Sequence, residues 1–378
     1  TSAMWMETVS YGWLVFELTD SPLILGVTNF ARGIPFLILG PLGGVAADRL
    51  DRRWLLLMSQ SAGVVLALTL TALVFAGLVE MWHLVLTGFL GGVVASFNQP
   101  ARQTLVVDLV ERTNLVNAIA LGASAFNISR LLAPVVAGVL IGSVGVAVCF
   151  LVQAICNIIA FVFTVPLPGL KKVQFNTRSS MGRDFLDGVR YVKNNALVVS
   201  LILVPLAIMF LGMPVSTVMP VFARDILNSG ASGLGLLMAA QGSGSLLALL
   251  SLAAIGDFSK KGLITILACF LYSGVLVVFA ASEWLPVSAA LMIAAGCTSA
   301  ICFTLTNTLL QSLISDEFRG RVTSIVMLDR GLMPFGGLFC GFLAEAFGAP
   351  ASVSIMAIAF AGFSLVLTVG FPAVRRLN

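Results

Sequence analysis

Charge is what this chain has least of. Acidic and basic side chains together make up 10% of its 378 residues, against about 25% in an average soluble domain. So thin a polar coat cannot clothe a water-soluble protein of this size, which excludes an ordinary soluble enzyme. Histidine is nearly absent: His83 stands alone, removing His-rich metal sites and a Ser-His-Asp triad. No GxxxxGK[ST] loop occurs, so ATP hydrolysis by that route is out. The six cysteines, Cys149, Cys156, Cys269, Cys297, Cys302 and Cys340, lie in apolar stretches without a CxxC pair. They read as small packing residues rather than a disulfide framework or a zinc knuckle. No metal, cofactor or catalytic cluster is expected. What the chain has instead is 59% apolar residues and 36 glycines, the composition of helices whose solvent is lipid.

A helix needs about 20 mostly apolar residues to cross a bilayer. Such runs fall near 21–46, 54–79, 82–107, 114–141, 146–166, 196–223, 231–256, 262–281, 284–310, 322–345 and 350–371. Thr1 to Leu18 is apolar but short, and reads as the outer part of a first helix truncated at its N-terminal end. A signal peptide would instead carry a basic leader. Twelve helices are thus expected. Lysines and arginines in short loops are retained on the cytoplasmic side, and 17 of the 21 fall on one side, among them Arg49, Arg52, Arg53, Arg102, Lys171, Lys260, Arg319 and Arg375. Only Arg224 falls opposite, where Glu17, Asp20, Glu80, Asp225, Glu283 and Glu345 gather, while Arg32, Arg130 and Arg330 lie inside spans. Both termini are therefore expected in the cytoplasm. The net charge of +4 is a topology signal spread over several loops, and no nucleic-acid partner is implied.

The longest polar stretch lies between the sixth and seventh runs. It divides the chain into a first bundle (1–168), a cytoplasmic linker (169–195) and a second bundle (196–378). Phe185, Val189 and Val192 recur in the linker at helical spacing, the mark of an amphipathic helix on the membrane face. The halves resemble each other: Asp48 answers Asp257 at an offset of 209, Gln103 to Asp108 answers Gln311 to Asp316 at 208, and Arg130-Leu-Leu-Ala-Pro134 answers Arg330-Gly-Leu-Met-Pro334 at 200. Six spans per half keep the copies in one orientation, so they are related by an axis along the membrane normal. The expected fold is all-α, two six-helix bundles related by a pseudo-two-fold axis.

The strongest local motif is Gly44-Val-Ala-Ala-Asp48-Arg49-Leu-Asp51-Arg52-Arg53. Here the chain resembles the major facilitator superfamily, whose signature for this loop is G-x-L-A-D-R-x-G-R-R. Ala46 replaces its Leu and Asp51 its second Gly. Asp51 at that place is similar to a group of bacterial exporters that includes enterobactin and macrolide efflux proteins, as is Asn98-Gln-Pro-Ala-Arg102-Gln. Gly44 is expected to let two helices approach, and Asp48 at a helix C-terminal end is unfavourable against the dipole unless compensated. The resemblance implies a cytoplasmic latch on Asp48 and Arg49; the plainer reading is that Arg52 and Arg53 only enforce topology. In the fifth span, Ala133-Pro134-Val-Val-Ala137-Gly138 resembles the antiporter motif G-P-x-x-G-G, either an export-type helix interface or an ordinary kinked helix. The family's basic residue early in the fourth span has no counterpart in Thr87-Gly-Phe-Leu-Gly-Gly92.

Ionisable groups inside spans are expensive. They are Glu7, Arg32, Arg130, Asp329 and Arg330. Counted at 1.5 Å per residue, Glu7 and Arg32 sit at similar depth on consecutive helices and can pair, either as a static ion pair or as a proton-coupling site. Arg130 and Arg330 are repeat-related, pointing to a shared structural role or to an anionic substrate group. The resemblance implies that helices one, four, seven and ten line a cavity, bringing in Trp5, Tyr11, Asn98, Met209, Phe210, Met213, Phe303, Thr306 and Asn307. That mixture suits a bulky amphipathic ligand better than a sugar. His83 beside Trp82 reads as interfacial. The expected protein is a monomeric secondary transporter of the bacterial inner membrane, working by alternating access. It exports an amphipathic drug or siderophore against protons, with lipids as its other partners. The alternatives are a lysophospholipid flippase and, remotely, a membrane-embedded enzyme or receptor.

Overall fold

A computed structural model describes residues 1–111, 113–168, 189–315, 318, 322, 325, 326 and 329–377. Helix follows helix: α1 (Ser2–Thr19), α2 (Pro22–Arg49), α3 (Arg52–Phe75), α4 (Met81–Leu109), α5 (Leu115–Val144), α6 (Val146–Thr164), α7 (Ala196–Ile226), α8 (Gly230–Ile255), α9 (Lys261–Ala280), α10 (Leu285–Leu313), α11 (Asp329–Phe347) and α12 (Ala349–Gly370). A 3-10 turn, Pro372–Arg376, follows. Among the described residues, ten of these helices are long and apolar enough to span a bilayer; α1 is not among them, and in α11 the apolar stretch is the shorter Gly331–Phe347. Among the described residues there is no strand.

The breaks have local causes. Ser21 caps α2, its hydroxyl accepting from the Ile24 amide at 3.3 Å with Pro22 in the first turn. Asp51 caps α3 through Oδ1, which accepts from the Arg53 amide at 2.9 Å. The residue that departs from the family loop signature therefore starts a helix. Gly145 and Gly348 take φ of +96° and +87°, a conformation open to glycine, and turn α5 into α6 and α11 into α12 with no loop between. Large side chains such as Leu121, Phe163 and Val369 lie about 70% exposed, as expected of a surface wetted by lipid.

The chain forms two compact units. One holds the described residues of 1–168 together with Met219–Ala239; the other holds those of 189–218 and 240–377. Within the first, α2 and α4 meet backbone to backbone: a side chain at Gly92 would run into the Arg32 carbonyl, and one at Gly43 into the Ser96 carbonyl. Within the second, α8 and α10 do the same, with Gly296 against the Gln241 carbonyl and Gly244 against that of Ile293. Arg32 and Gln241 stand 209 residues apart, the offset between Asp48 and Asp257. Small residues let membrane helices pack closely where no hydrophobic force drives them together. Gly296→Val is expected to lower the apparent melting temperature in detergent, since overpacking of this kind costs about 1–3 kcal/mol; an unchanged melt would show that α10 can move aside freely.

Of the expected amphipathic linker helix, Phe185 lies outside the described residues. Residues 189–193 are helical, with Val189 exposed, Val192 packed on a cluster around Val198, Leu201 and Leu309, and Tyr191 stacked on Phe318 at 4.4 Å between ring centroids.

Candidate functional site

Three glycines on one face of α4 open space inside the first unit. A side chain at Gly88 would strike the Tyr11 hydroxyl, a Cβ at Gly91 would stand 3.8 Å from Glu7 Oε1, and Gly92 admits the α2 backbone. Into that space α1 projects Glu7 and Tyr11. Glu7 Oε1 pairs with Arg32 Nη2 at 3.0 Å, the two side chains being 26% and 24% exposed. Its other oxygen, Oε2, accepts from Gln153 Nε2 at 3.0 Å. Tyr11 donates to the Leu84 carbonyl, and the Arg32 guanidinium lies 5.9 Å from its ring. This is the part of α4 that carries no family-type basic residue; the cation beside the carboxylate comes from α2 instead.

The ion pair borders a cavity of about 180 Å³ enclosed by α1, α2, α3, α4 and α6. It runs from Tyr11 and Thr87 to Thr1 and Arg102, and its polar lining includes Gln60, Asn98, Gln153 and Asn157. Asn98 donates to Ser59 Oγ at 2.8 Å and Gln60 to Thr164 Oγ1 at 3.2 Å. The buried Oε1 atoms of Gln60 and Gln153 accept no hydrogen bond from any described residue. A space of this size with such polar groups on its wall has room for several water molecules. Tyr11 and Asn98, expected to line the substrate cavity, face this cavity of mixed polar and apolar lining inside one unit.

The antiporter-like stretch is a close seam. Ala133, Pro134, Ala137 and Gly138 are buried on α5. A Cβ at Gly138 would lie 2.6 Å from the Ala231 carbonyl oxygen and 3.0 Å from Gly235 Cα on α8, and Ser232 Oγ donates to the Gly138 carbonyl at 3.4 Å. Pro134 presents its own carbonyl to Gly235. Farther along this side sits Arg224, the basic residue on the acidic side of the charge map. Its guanidinium binds Asp20 at 2.6 Å and Asp225 at 2.7 Å and lies 4.0 Å from the Phe16 ring centroid. Asp20 is the left-handed C-cap of α1, where a carboxylate opposes the helix dipole and a cation relieves it.

At the opposite end, the loop motif differs from expectation in one respect. A Cβ at Gly44 would meet nothing within 4 Å; the glycine that admits a neighbouring helix is Gly43, because its missing side chain points at the Ser96 backbone. Arg52 Nε donates to the Ala47 carbonyl at 2.9 Å, closing the end of α2, and Arg53 reaches the Val165 carbonyl of α6. Arg49 is exposed. The side chains of Asp48, Asp329 and Arg330 lie outside the described residues. Arg130 places its guanidinium 5.6 Å from the Trp5 ring, which meets Phe126 edge-on at 5.8 Å. His83 is a capping residue: Nδ1 accepts from the Glu80 amide at 3.0 Å.

The part of α7 that lies in the second unit is broken by a wide turn. The Met213 amide reaches back five residues to the Ile208 carbonyl at 2.8 Å, so Ile208–Gly212 is π-helical, a deviation frequent at functional sites. It carries Met209 and Phe210, and Phe210 stacks on Phe339 at 6.0 Å. Phe303 and Met213 are half-buried and Asn307 is exposed; Thr306 is buried, its hydroxyl accepting and donating nothing among the described residues. Residue-by-residue reading passed over Gln60, Gln153 and Asn157 in the cavity and Gly235 in the seam. Their signals were present: carboxamides stranded in apolar runs, and Ala231-x-x-x-Gly235 answering Pro134-x-x-x-Gly138.

Residues 1–377 match the family described as transmembrane secretion effector. The chain is 25% identical over 373 residues to the staphyloferrin A transporter of Staphylococcus aureus, covering 98% of this chain and 92% of that protein. It is 24% identical over 341 residues to macrolide efflux protein A of Streptococcus pyogenes, covering 88% and 83%. Among solved structures it superposes on the nucleoside transporter NupG with a TM-score of 0.73 over the whole of both chains at 14% identity, which establishes the twelve-helix fold.

Proposed function

This chain belongs to the transmembrane secretion effector family of major facilitator transporters, and from that premise we propose that it exports an amphipathic small molecule, of drug or siderophore type, in exchange for protons. The observation that carries the reading is the Glu7–Arg32 pair at 3.0 Å beside a cavity with polar groups on its wall. A carboxylate at this depth is costly unless paired. Protonating Glu7 dissolves the pair, and a group whose pairing differs between two conformations shifts their populations when it takes up a proton. The names of the relatives, a siderophore transporter and a macrolide efflux protein, support this substrate class, and their bacterial origin supports a bacterial plasma membrane; the loop charges favour both termini on the cytoplasmic side.

In alternating access the α5–α8 seam and the Arg224–Asp20 contact are closed when the outer side is shut and part when it opens. In proteoliposomes, an imposed proton gradient is expected to drive flux of a macrolide or of staphyloferrin A that collapses when an uncoupler is added. Flux indifferent to the uncoupler, for both probes and for a fluorescent lysophospholipid alike, would overturn proton coupling. Uncoupler-insensitive movement of the lysophospholipid alone would point to lipid flipping.

A further inference from the structure

We propose that Gln153 is the positioning residue that lets Glu7 gain and lose its proton, its carboxamide serving the ionised and the neutral acid in turn, while cavity water carries the proton; this rests on the proton-coupled reading above. With Glu7 ionised, Gln153 Nε2 donates to Oε2 at 3.0 Å and Arg32 holds Oε1. A neutral carboxyl carries an O–H and needs an acceptor, which an amide nitrogen cannot be. The acceptor is on the same side chain. Gln153 Oε1 is buried, and no described residue donates to it.

A half-turn about the last side-chain torsion, which is broad and roughly two-fold, exchanges the two amide atoms. Among the described residues that turn breaks only the bond that protonation has already spoiled, because none of them donates to Oε1. An amide tethered by its oxygen would be committed to the ionised acid. Gln153 is 6% exposed, so bulk water does not stand in for it.

The surroundings suit a proton better than a metal ion. From α2 the charged group facing Glu7 is Arg32, and from α1 the neighbouring titratable group is Tyr11. Cys149 of α6 is engaged by Ser10 Oγ at 2.9 Å, and Arg130 of α5 lies over Trp5. The cavity-lining residues of α3 include no titratable group, and α4 contributes Arg102, eleven residues beyond Gly91 and so about 16 Å along the helix. The Arg32 guanidinium already on the carboxylate disfavours a further cation there. The step balances simply. The Glu7 O–H bond breaks, the proton passes to a water oxygen in the cavity, and the electron pair stays on the carboxylate, which takes back Arg32 and Gln153 Nε2.

The test is pH-difference infrared spectroscopy on the full chain in liposomes, with Glu7→Gln identifying the Glu7 carboxyl band. In Gln153→Met, which keeps the length and loses both polar atoms, that band is expected to move to higher wavenumber. Proton flux is expected to slow about tenfold, the scale of one net hydrogen bond. A measurement on the native sequence guards against a variant that fails to fold: with carbonyl-labelled glutamine, a side-chain amide band should move to lower wavenumber in step with the Glu7 band. An unshifted acid band in Gln153→Met, or no coincident amide change, would overturn the role of Gln153 and leave proton coupling standing. Absence of any carboxyl band that Glu7→Gln removes would overturn the coupling reading itself.

Discussion

Glu7→Gln is expected to abolish uphill, proton-driven transport, a fall of at least about 100-fold, the upper range of what one lost charge-coupled interaction confers. Movement of substrate down its own gradient persists. Glutamine has the shape of the neutral acid, can still bond to Gln153, and has no proton to exchange. The chain is left with a permanent imitation of the protonated state. Arg32 is then without its carboxylate at 3.0 Å. Removing one partner of a fully buried pair costs about 3–5 kcal/mol; with both side chains about a quarter exposed, a smaller loss follows. The double variant Glu7→Gln with Arg32→Gln should therefore recover stability without recovering coupling. The measurement is accumulation of a macrolide probe in inverted vesicles, with and without a pH gradient. Gradient-dependent accumulation equal to that of the unmodified protein would remove Glu7 from the coupling scheme.

Gly138→Leu is expected to hold the outer side open. Its Cβ alone would stand 2.6 Å from the Ala231 carbonyl oxygen and 3.0 Å from Gly235 Cα, well inside contact distance, and neither obstacle is a flexible side chain. Relief requires α5 and α8 to separate, which disfavours the closed seam by about 1–3 kcal/mol and shifts the balance of states by about tenfold or more. A cysteine placed at Ser232, whose hydroxyl now reaches the Gly138 carbonyl, reports on this. In a background lacking the native cysteines it should react faster with an impermeant maleimide when Gly138 is Leu, with Gly138→Ala intermediate. Equal rates in all three would show that the seam is not part of the outer closure. The Pro134 to Gly138 stretch would then be no more than a kinked, tightly packed helix.

Much of this was legible in the residues taken in order. Runs of about 20 apolar residues mark helices whatever their neighbours, because each satisfies its own backbone in lipid. The ten long spans accordingly lie within a few residues of the apolar runs. Glu7 and Arg32 stood out as charges where charge is costly, and their depth followed from helical rise alone. The loop signature was readable because its residues are contiguous. Its departure at Asp51 was readable too, but not as what it is, a cap whose carboxylate accepts the Arg53 amide.

The chain's order thus determined the helices and the family, since each depends on composition and spacing within one segment. Which residues meet across segments was a matter of packing. That Gly43 and not Gly44 admits α4 turns on about 100° of rotation about α2, a difference no spacing rule resolves. That Gln153 meets Glu7, and Gly138 meets Gly235, depends on contacts between residues 146 and 97 positions apart. Apolar faces packed in lipid have no hydrophobic preference for one another. Shape and a few hydrogen bonds choose the partner, and those exist only once the helices are side by side.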